Sequence, residues 1–299
     1  VTTVGFLGLG RMGAGMAARL VGTVDQLLVH DIAPGAVQAL EAQGATAAGS
    51  AEALGSQCDV VFISLPTPAI VREAVAGVAI SGSPGIVCDL STSGPKLAAE
   101  LHKLLAPRGI ASFDAPVSGG IARARDGTLS LMVGGPAALY PQLEPLLARF
   151  GTPTFMGETP GAGQTMKLVN NLLGAVAIGV TAEGMAFGIK AGLDPARMIE
   201  VLNQSTGVNS ATRDKWPRSV LPRTFDFGFA ATLSLKDMRL LLEEAQAVEV
   251  PLPLGRIVEE YLERAVETYG LEADFTTIAK VVEADSGLDP ERPAQSGPS

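Results

Sequence analysis

Two histidines, two cysteines, one tryptophan and an aromatic share of 5% leave this 299-residue chain poor in the side chains that build metal centres and disulfide frameworks. Cys58 and Cys88 each fall inside an apolar, strand-like run at no metal-binding or redox spacing, so they read as small buried hydrophobes in a reducing compartment. His30 ends a strand pattern and His102 lies on the solvent side of a helix pattern; neither is taken as a base, and no metal site is expected. Positive charge is scarce too. Lys and Arg number 22 against 31 Asp and Glu, a net charge of −9, which argues against nucleic acid or an anionic membrane as a general partner. An anionic ligand therefore needs a local positive pocket. The first residues enter a strand pattern with no charged leader, so no signal peptide is expected and the reading is cytoplasmic. The apolar run from Leu168 to Ile189 is long enough to suggest a membrane span, but it carries Asn170, Asn171 and Glu183 and follows Lys167. The expectation is a helix buried by protein rather than lipid.

What is present is a globular composition, 47% hydrophobic and 18% charged, on a chain long enough for two cores. Strand and helix patterns alternate up to about residue 162. Apart from Ser64 and Asp89 the runs Val60–Leu65 and Ile86–Leu90 are apolar, as strands of a parallel sheet covered on both faces are. Beyond that point the pattern is helical. The expected fold is α/β: a Rossmann-type doubly wound sheet over residues 1–162, an all-helical domain over 163–284 built on a long interdomain helix, and a disordered polar tail over 285–299.

Gly8-Leu9-Gly10-Arg11-Met12-Gly13 follows the first strand and opens a helix, the setting a dinucleotide-binding glycine turn requires. Gly8 permits the tight turn, Gly10 lets a pyrophosphate approach the backbone, and Gly13 lets the helix lie close on the strand. Asp31 ends the second strand, where a carboxylate either meets the adenosine ribose hydroxyls or simply forms a turn. No Arg or Lys follows before Arg72, so NAD is favoured, with NADP possible. Ser91-Thr92-Ser93 offers hydroxyls at another strand end. Ser118-Gly119-Gly120 is either a turn or a cradle of uncovered amides for a carboxylate. In Gly161-Ala162-Gly163-Gln164-Thr165-Met166-Lys167, the lysine lies in the first turns of the long helix, where the macrodipole and burial both disfavour its charge. Lys167 either snorkels at the helix end or carries a catalytic proton, and Asn171 shares its face one turn on. Ser234-Leu235-Lys236-Asp237 has the spacing of a helix-capping pair, which leaves Lys236 to point into a cleft.

Four blocks in register, GFLGLGRMG from Gly5, DAPVSGG at Asp114–Gly120 with GTLSLMVGG at Gly127–Gly135, GAGQTMKLVNN at Gly161–Asn171 and LKDM at Leu235–Met238, resemble the β-hydroxyacid dehydrogenase family. The resemblance implies hydride transfer between a nicotinamide and a short 3-hydroxy acid or its semialdehyde. It implies that Gly8, Leu9, Gly10, Arg11, Met12 and Gly13 form the pyrophosphate loop, that Leu65, Pro66 and Thr92 border the cofactor, and that Ser118, Gly119 and Gly120 hold the substrate carboxylate. Lys167 would be the catalytic lysine, Asn171 its partner and Lys236 the cleft lysine near cofactor and acid. Arg123 departs from the family's small residue and either adds a second anion contact or is solvated. The resemblance also suggests a homodimer or homotetramer. An NADPH-dependent reductase of glyoxylate or succinic semialdehyde keeps the fold with another substrate, and a non-catalytic cofactor-binding scaffold is the alternative of another class.

Overall fold

The chain divides between Lys167 and Leu168 into two compact units. The computed structural model describes residues 2–81 and 84–291.

In the first unit the strands are β1 (Thr3–Leu7), β2 (Gln26–His30), β3 (Thr46–Ala47), β4 (Val60–Ile63), β5 (Ile86–Asp89), β6 (Ala111–Asp114), β7 (Val117–Ser118), β8 (Leu129–Gly134) and β9 (Gly151–Gly157). They form one sheet in the order β3-β2-β1-β4-β5-β6-β8-β7, with β9 beside β8. Pairing from β3 through β6 is parallel; β8 runs antiparallel to β6 and β7 and parallel to β9. Strand order reverses between β1 and β4, and this switch point opens a crevice at the carboxyl ends of the strands.

Both faces of the sheet are covered, which is why β4 and β5 lack polar alternation. Val4, Phe6, Val29, Phe62 and Cys88 pack into one core, while Leu7, Leu28, Val61, Ile63 and Val87 pack into the other. Phe6, Phe62 and Phe150 form an aromatic cluster with ring centroids 5.2–6.2 Å apart. Both cysteines are buried and unpaired.

Five elements are not given by the sequence pattern. The two-residue strands β3 and β7 are too short to show periodicity. The helix Gly120–Asp126 begins inside what reads as a glycine turn. Residues Ala211–Val220 form a π-helix with Pro217 inside it, a kind of helix that the 3.6-residue pattern does not announce. Ser234 and Asp237 do not cap a helix: the helix runs from Ala231 to Ala247, and its start is set by Ala231 N–H donating to Ala273 C=O at 2.7 Å. That long-range bond moves the start upstream and leaves both polar residues buried inside the helix.

The helix Ala162–Lys190 begins in the first unit and is the spine of the second. Ala175, Ile178, Ala182 and Met185 on it pack with Trp216, Leu235, Met238, Leu262 and Ile278. By length and composition this helix could cross a membrane, but its buried face is the core of the second unit. The tail begins later than composition implies. Leu288 packs on the core, Arg223 bonds Pro290 C=O and pairs with Glu283 at 2.7 Å, and Lys280 pairs with Glu291 at 2.8 Å. The remainder of that tail, 292–299, lies outside the described residues.

Candidate active site

The glycine turn at the end of β1 contains glycines of two kinds. Gly8 has φ +96°, and a Cβ on it would stand 2.2 Å from Ser64 C=O; one on Gly13 would stand 1.9 Å from Gly8 C=O. Those two glycines are required by the fold. A Cβ on Gly10 would meet nothing within 4 Å, and Gly10 is exposed. The space above it is open to a ligand, and a phosphate is the group whose backbone contacts a side chain there would block. Leu9 is buried in the core while Arg11 is exposed and Met12 half-buried. These residues fit a dinucleotide.

Asp31 at the end of β2 holds this turn. One carboxylate oxygen accepts Leu9 N–H at 2.5 Å and the other accepts Ala33 N–H at 2.7 Å. Ile32 beside it is 97% exposed, an apolar surface with no periodicity to announce it. Leu65 and the exposed Pro66 follow β4, and Leu65 N–H donates to Ser91 Oγ at 2.9 Å, joining the ends of β4 and β5. Thr92 is half-buried in the turn that follows β5.

Beneath that turn lies a buried polar network that the sequence does not reveal. Asp89 accepts Ser93 Oγ–H at 2.6 Å and Ser91 N–H at 2.9 Å. Gln164, fully buried, accepts Ser93 N–H and Gly94 N–H on Oε1 at 3.0 and 3.1 Å and donates from Nε2 to Ser91 C=O at 2.8 Å. Asp114 accepts Gly161 N–H and Gln164 N–H, each at 2.8 Å, and so caps the long helix. Lys167 lies three residues beyond Gln164 and is 9% exposed.

Burial raises the Asp89 carboxyl from 3.8 to about 6, against the hydrogen bonds from Ser93 and Ser91 and with added repulsion from Asp114. Burial likewise raises Asp114, opposed by backbone hydrogen bonds at the helix start. For Asp89 the folded state binds its proton more tightly than the unfolded chain. This group's contribution is therefore most favourable below pH 4 and declines as pH rises through 6. A shift of about two units corresponds to ~3 kcal/mol. Asp89→Asn keeps an acceptor for Ser91 and offers a donor to Ser93. Measured by denaturant unfolding, its stability relative to wild type should improve by roughly that amount between pH 4 and pH 8. A difference independent of pH would contradict the assignment.

Ser118 ends β7, and Gly119 and Gly120 have φ +139° and +77°, backbone that leaves their amides uncovered. Arg123 is exposed, and its Cδ would lie 2.7 Å from a Cβ on Gly119, so its stem folds back over the same turn. In the second unit, Asn171 donates from Nδ2 to Asp237 Oδ2 at 2.8 Å, and Lys236 Nζ lies 3.0 Å from Asp237 Oδ1. Asp237, which reads as a cap in the sequence, is thus the buried anchor of both. Among the described residues, no group of His, Cys, Asp and Glu is placed to hold a metal ion.

A doubly wound sheet with a glycine turn open at its switch point is the architecture of a dinucleotide-binding domain. Residues 3–157 match the family described as the NAD binding domain of 6-phosphogluconate dehydrogenase, and residues 161–282 match the one described as NAD-binding of NADP-dependent 3-hydroxyisobutyrate dehydrogenase. The chain is 38% identical to the 3-hydroxyisobutyrate dehydrogenase of Pseudomonas aeruginosa, over 94% of this chain and 98% of that one. It is 33% identical to the 2-(hydroxymethyl)glutarate dehydrogenase of Eubacterium barkeri, over 95% and 96%. The solved structure of Mycobacterium tuberculosis 3-hydroxyisobutyrate dehydrogenase with L-serine superposes with a TM-score of 0.88 at 31% identity, covering 94% of this chain and 99% of that one. The chain belongs to the β-hydroxyacid dehydrogenase family, and it is an NAD(P)-dependent hydroxyacid dehydrogenase acting on CH–OH groups.

Proposed function

We propose that the chain oxidises a short 3-hydroxy acid of the 3-hydroxyisobutyrate type to its semialdehyde, and reverses the reaction, using NAD with Lys167 as the proton carrier. The observation that carries this reading is the burial of Lys167 in the first turns of the long helix, on a first unit whose glycine turn fits a dinucleotide. The substrate carboxylate takes the Gly119 and Gly120 amides and the Ser118 hydroxyl. Neutral Lys167 accepts the substrate hydroxyl's proton as the carbinol C–H bond breaks, and on reduction the ammonium returns it to the carbonyl oxygen. The nicotinamide, when bound, supplies the hydride acceptor. The family resemblance supports Asn171, held by Asp237, as the partner of Lys167 and Lys236 as the lysine that adds positive potential for the bound anions. Each Asp31 oxygen holds one backbone N–H and retains a lone pair for a ribose hydroxyl, and the carboxylate repels a 2′-phosphate. Ile32 offers the adenine an apolar face.

The test is to follow reduced nicotinamide with a panel of short hydroxy acids and semialdehydes, using NAD and NADP in turn. The expected result is the highest kcat/KM with NAD and a 3-hydroxy acid. Preference for NADPH with glyoxylate or succinic semialdehyde would replace this reading.

Arg123 is assigned a contact with the bound acid, because its stem lies over Gly119. Losing one charge-assisted hydrogen bond, about 1.5–3 kcal/mol, should raise KM for the preferred acid at least about tenfold in Arg123→Ala with little change in KM for NAD. An unchanged KM would place the guanidinium in solvent.

The protein is proposed to be a cytoplasmic homo-oligomer. Leu173, Val180 and Phe187 recur every seven residues on the solvent face of the long helix, with Leu173 65% and Phe187 78% exposed. That spacing is a seam for another helix, and a second copy supplies the same stripe. Light scattering should give a dimer or tetramer for wild type and a smaller species for Leu173→Glu/Phe187→Glu; a monomeric wild type would contradict the assignment.

A further inference from the structure

We propose that Gln164 is a positioning residue that fixes the Thr92 turn and the Lys167 turn of the long helix as one rigid piece. The proposal rests on the reading of Lys167 as proton carrier and of Thr92 as the hydroxyl beside the nicotinamide. Gln164 bonds on both sides of Thr92: Ser91 C=O accepts from its Nε2, while Ser93 and Gly94 donate to its Oε1. On its own helix it precedes Lys167 by three residues, hence on the same face. The turn after β5 and the start of the helix are thus joined by a side chain with both acceptor sites in use and no exposure to water.

The helix start itself has a separate anchor. Asp114 accepts the backbone N–H groups of Gly161 and Gln164, bonds that do not involve the Gln164 side chain. Substituting Gln164 therefore leaves the helix capped while stranding two buried N–H groups and a carbonyl on the turn. The turn must shift to satisfy them, and the separation between hydride and proton carriers shifts with it. Displacement of about 1 Å costs on the order of 100-fold in rate without removing a binding contact.

Two variants test this. Gln164→Met should fold, bind NAD and the hydroxy acid within threefold of wild type, and lose about 100-fold in kcat. The primary isotope effect with carbinol-deuterated substrate should increase, because hydride transfer becomes slower relative to product release. Gln164→Glu keeps the shape, and its protonated form keeps both the acceptor for Ser93 and Gly94 and a donor for Ser91 C=O. Its ionised form loses that donor. The titratable groups flanking the position are Asp89 on β5 and Asp114 on β6, whose negative charges disfavour ionisation, and Lys167 on the same helix, whose positive charge favours it. The ratio of its kcat to wild type at equal pH should climb as pH falls from 9 to 6. Should Gln164→Met fail to fold, the pH dependence of that ratio decides alone. A Gln164→Met enzyme with kcat within threefold of wild type and an unchanged isotope effect would overturn the proposal, as would a flat ratio for Gln164→Glu. With Lys167→Ala assayed beside them, retained activity in that variant removes the reading of Lys167. An inactive Lys167→Ala beside a fully active Gln164→Met removes only the bridge.

Discussion

Lys167→Ala should lower kcat by about 10²–10⁴-fold while KM for NAD stays within a fewfold of wild type. Proton transfer from the substrate hydroxyl is needed only in the transition state, so its loss appears in kcat rather than in cofactor binding. Lys167→Arg should not restore activity, because a guanidinium stays protonated and accepts no proton. Burial of the residue, at 9% exposure, makes a solvated surface role a poor account of this lysine. A Lys167→Ala enzyme that keeps more than a tenth of wild-type kcat would rule the residue out as proton carrier.

Gly10→Val separates the glycines that the fold needs from the one that the ligand needs. A Cβ at position 10 meets no atom within 4 Å, so stability should stay within about 0.5 kcal/mol of wild type. Affinity for the dinucleotide should fall at least about 100-fold, since blocking two amide–phosphate bonds at ~1.5–3 kcal/mol each removes 3 kcal/mol or more. Gly8→Ala behaves oppositely: its Cβ would collide with Ser64 C=O at 2.2 Å on backbone at φ +96°, so the protein is destabilised before binding is in question. Unfolding curves and titration of cofactor fluorescence measure both quantities. Wild-type affinity in Gly10→Val would remove the pyrophosphate from this turn.

How far the sequence alone leads depends on the range of the interaction involved. The glycine turn and the buried parallel strands rest on near neighbours and were legible. The start of the helix Ala231–Ala247 was not, because Ala273, far along the chain, fixes it. The network of Asp89, Ser93, Gln164 and Asp114 was hidden for the same reason: its bonds span up to 73 residues, and none of its members has an unusual local pattern. In DAPVSGG and GAGQTMK the eye goes to Ser118 and Lys167, whereas Asp114 and Gln164 hold the helix and the neighbouring turn in place. Asp31 makes a contact that the sequence does not suggest, since its carboxylate anchors Leu9. Pairings such as Asn171 with Asp237 depend on the packing of separate helices, which no spacing within either helix encodes.

A crystal structure of the enzyme with NAD and 3-hydroxyisobutyrate measures the central claim directly, as the distance from Lys167 Nζ to the substrate hydroxyl oxygen. The account predicts a hydrogen bond of about 2.6–3.2 Å, with the carboxylate on the Gly119 and Gly120 amides. A bound acid whose hydroxyl meets another side chain, with the Lys167 amine turned away from it, would contradict the account.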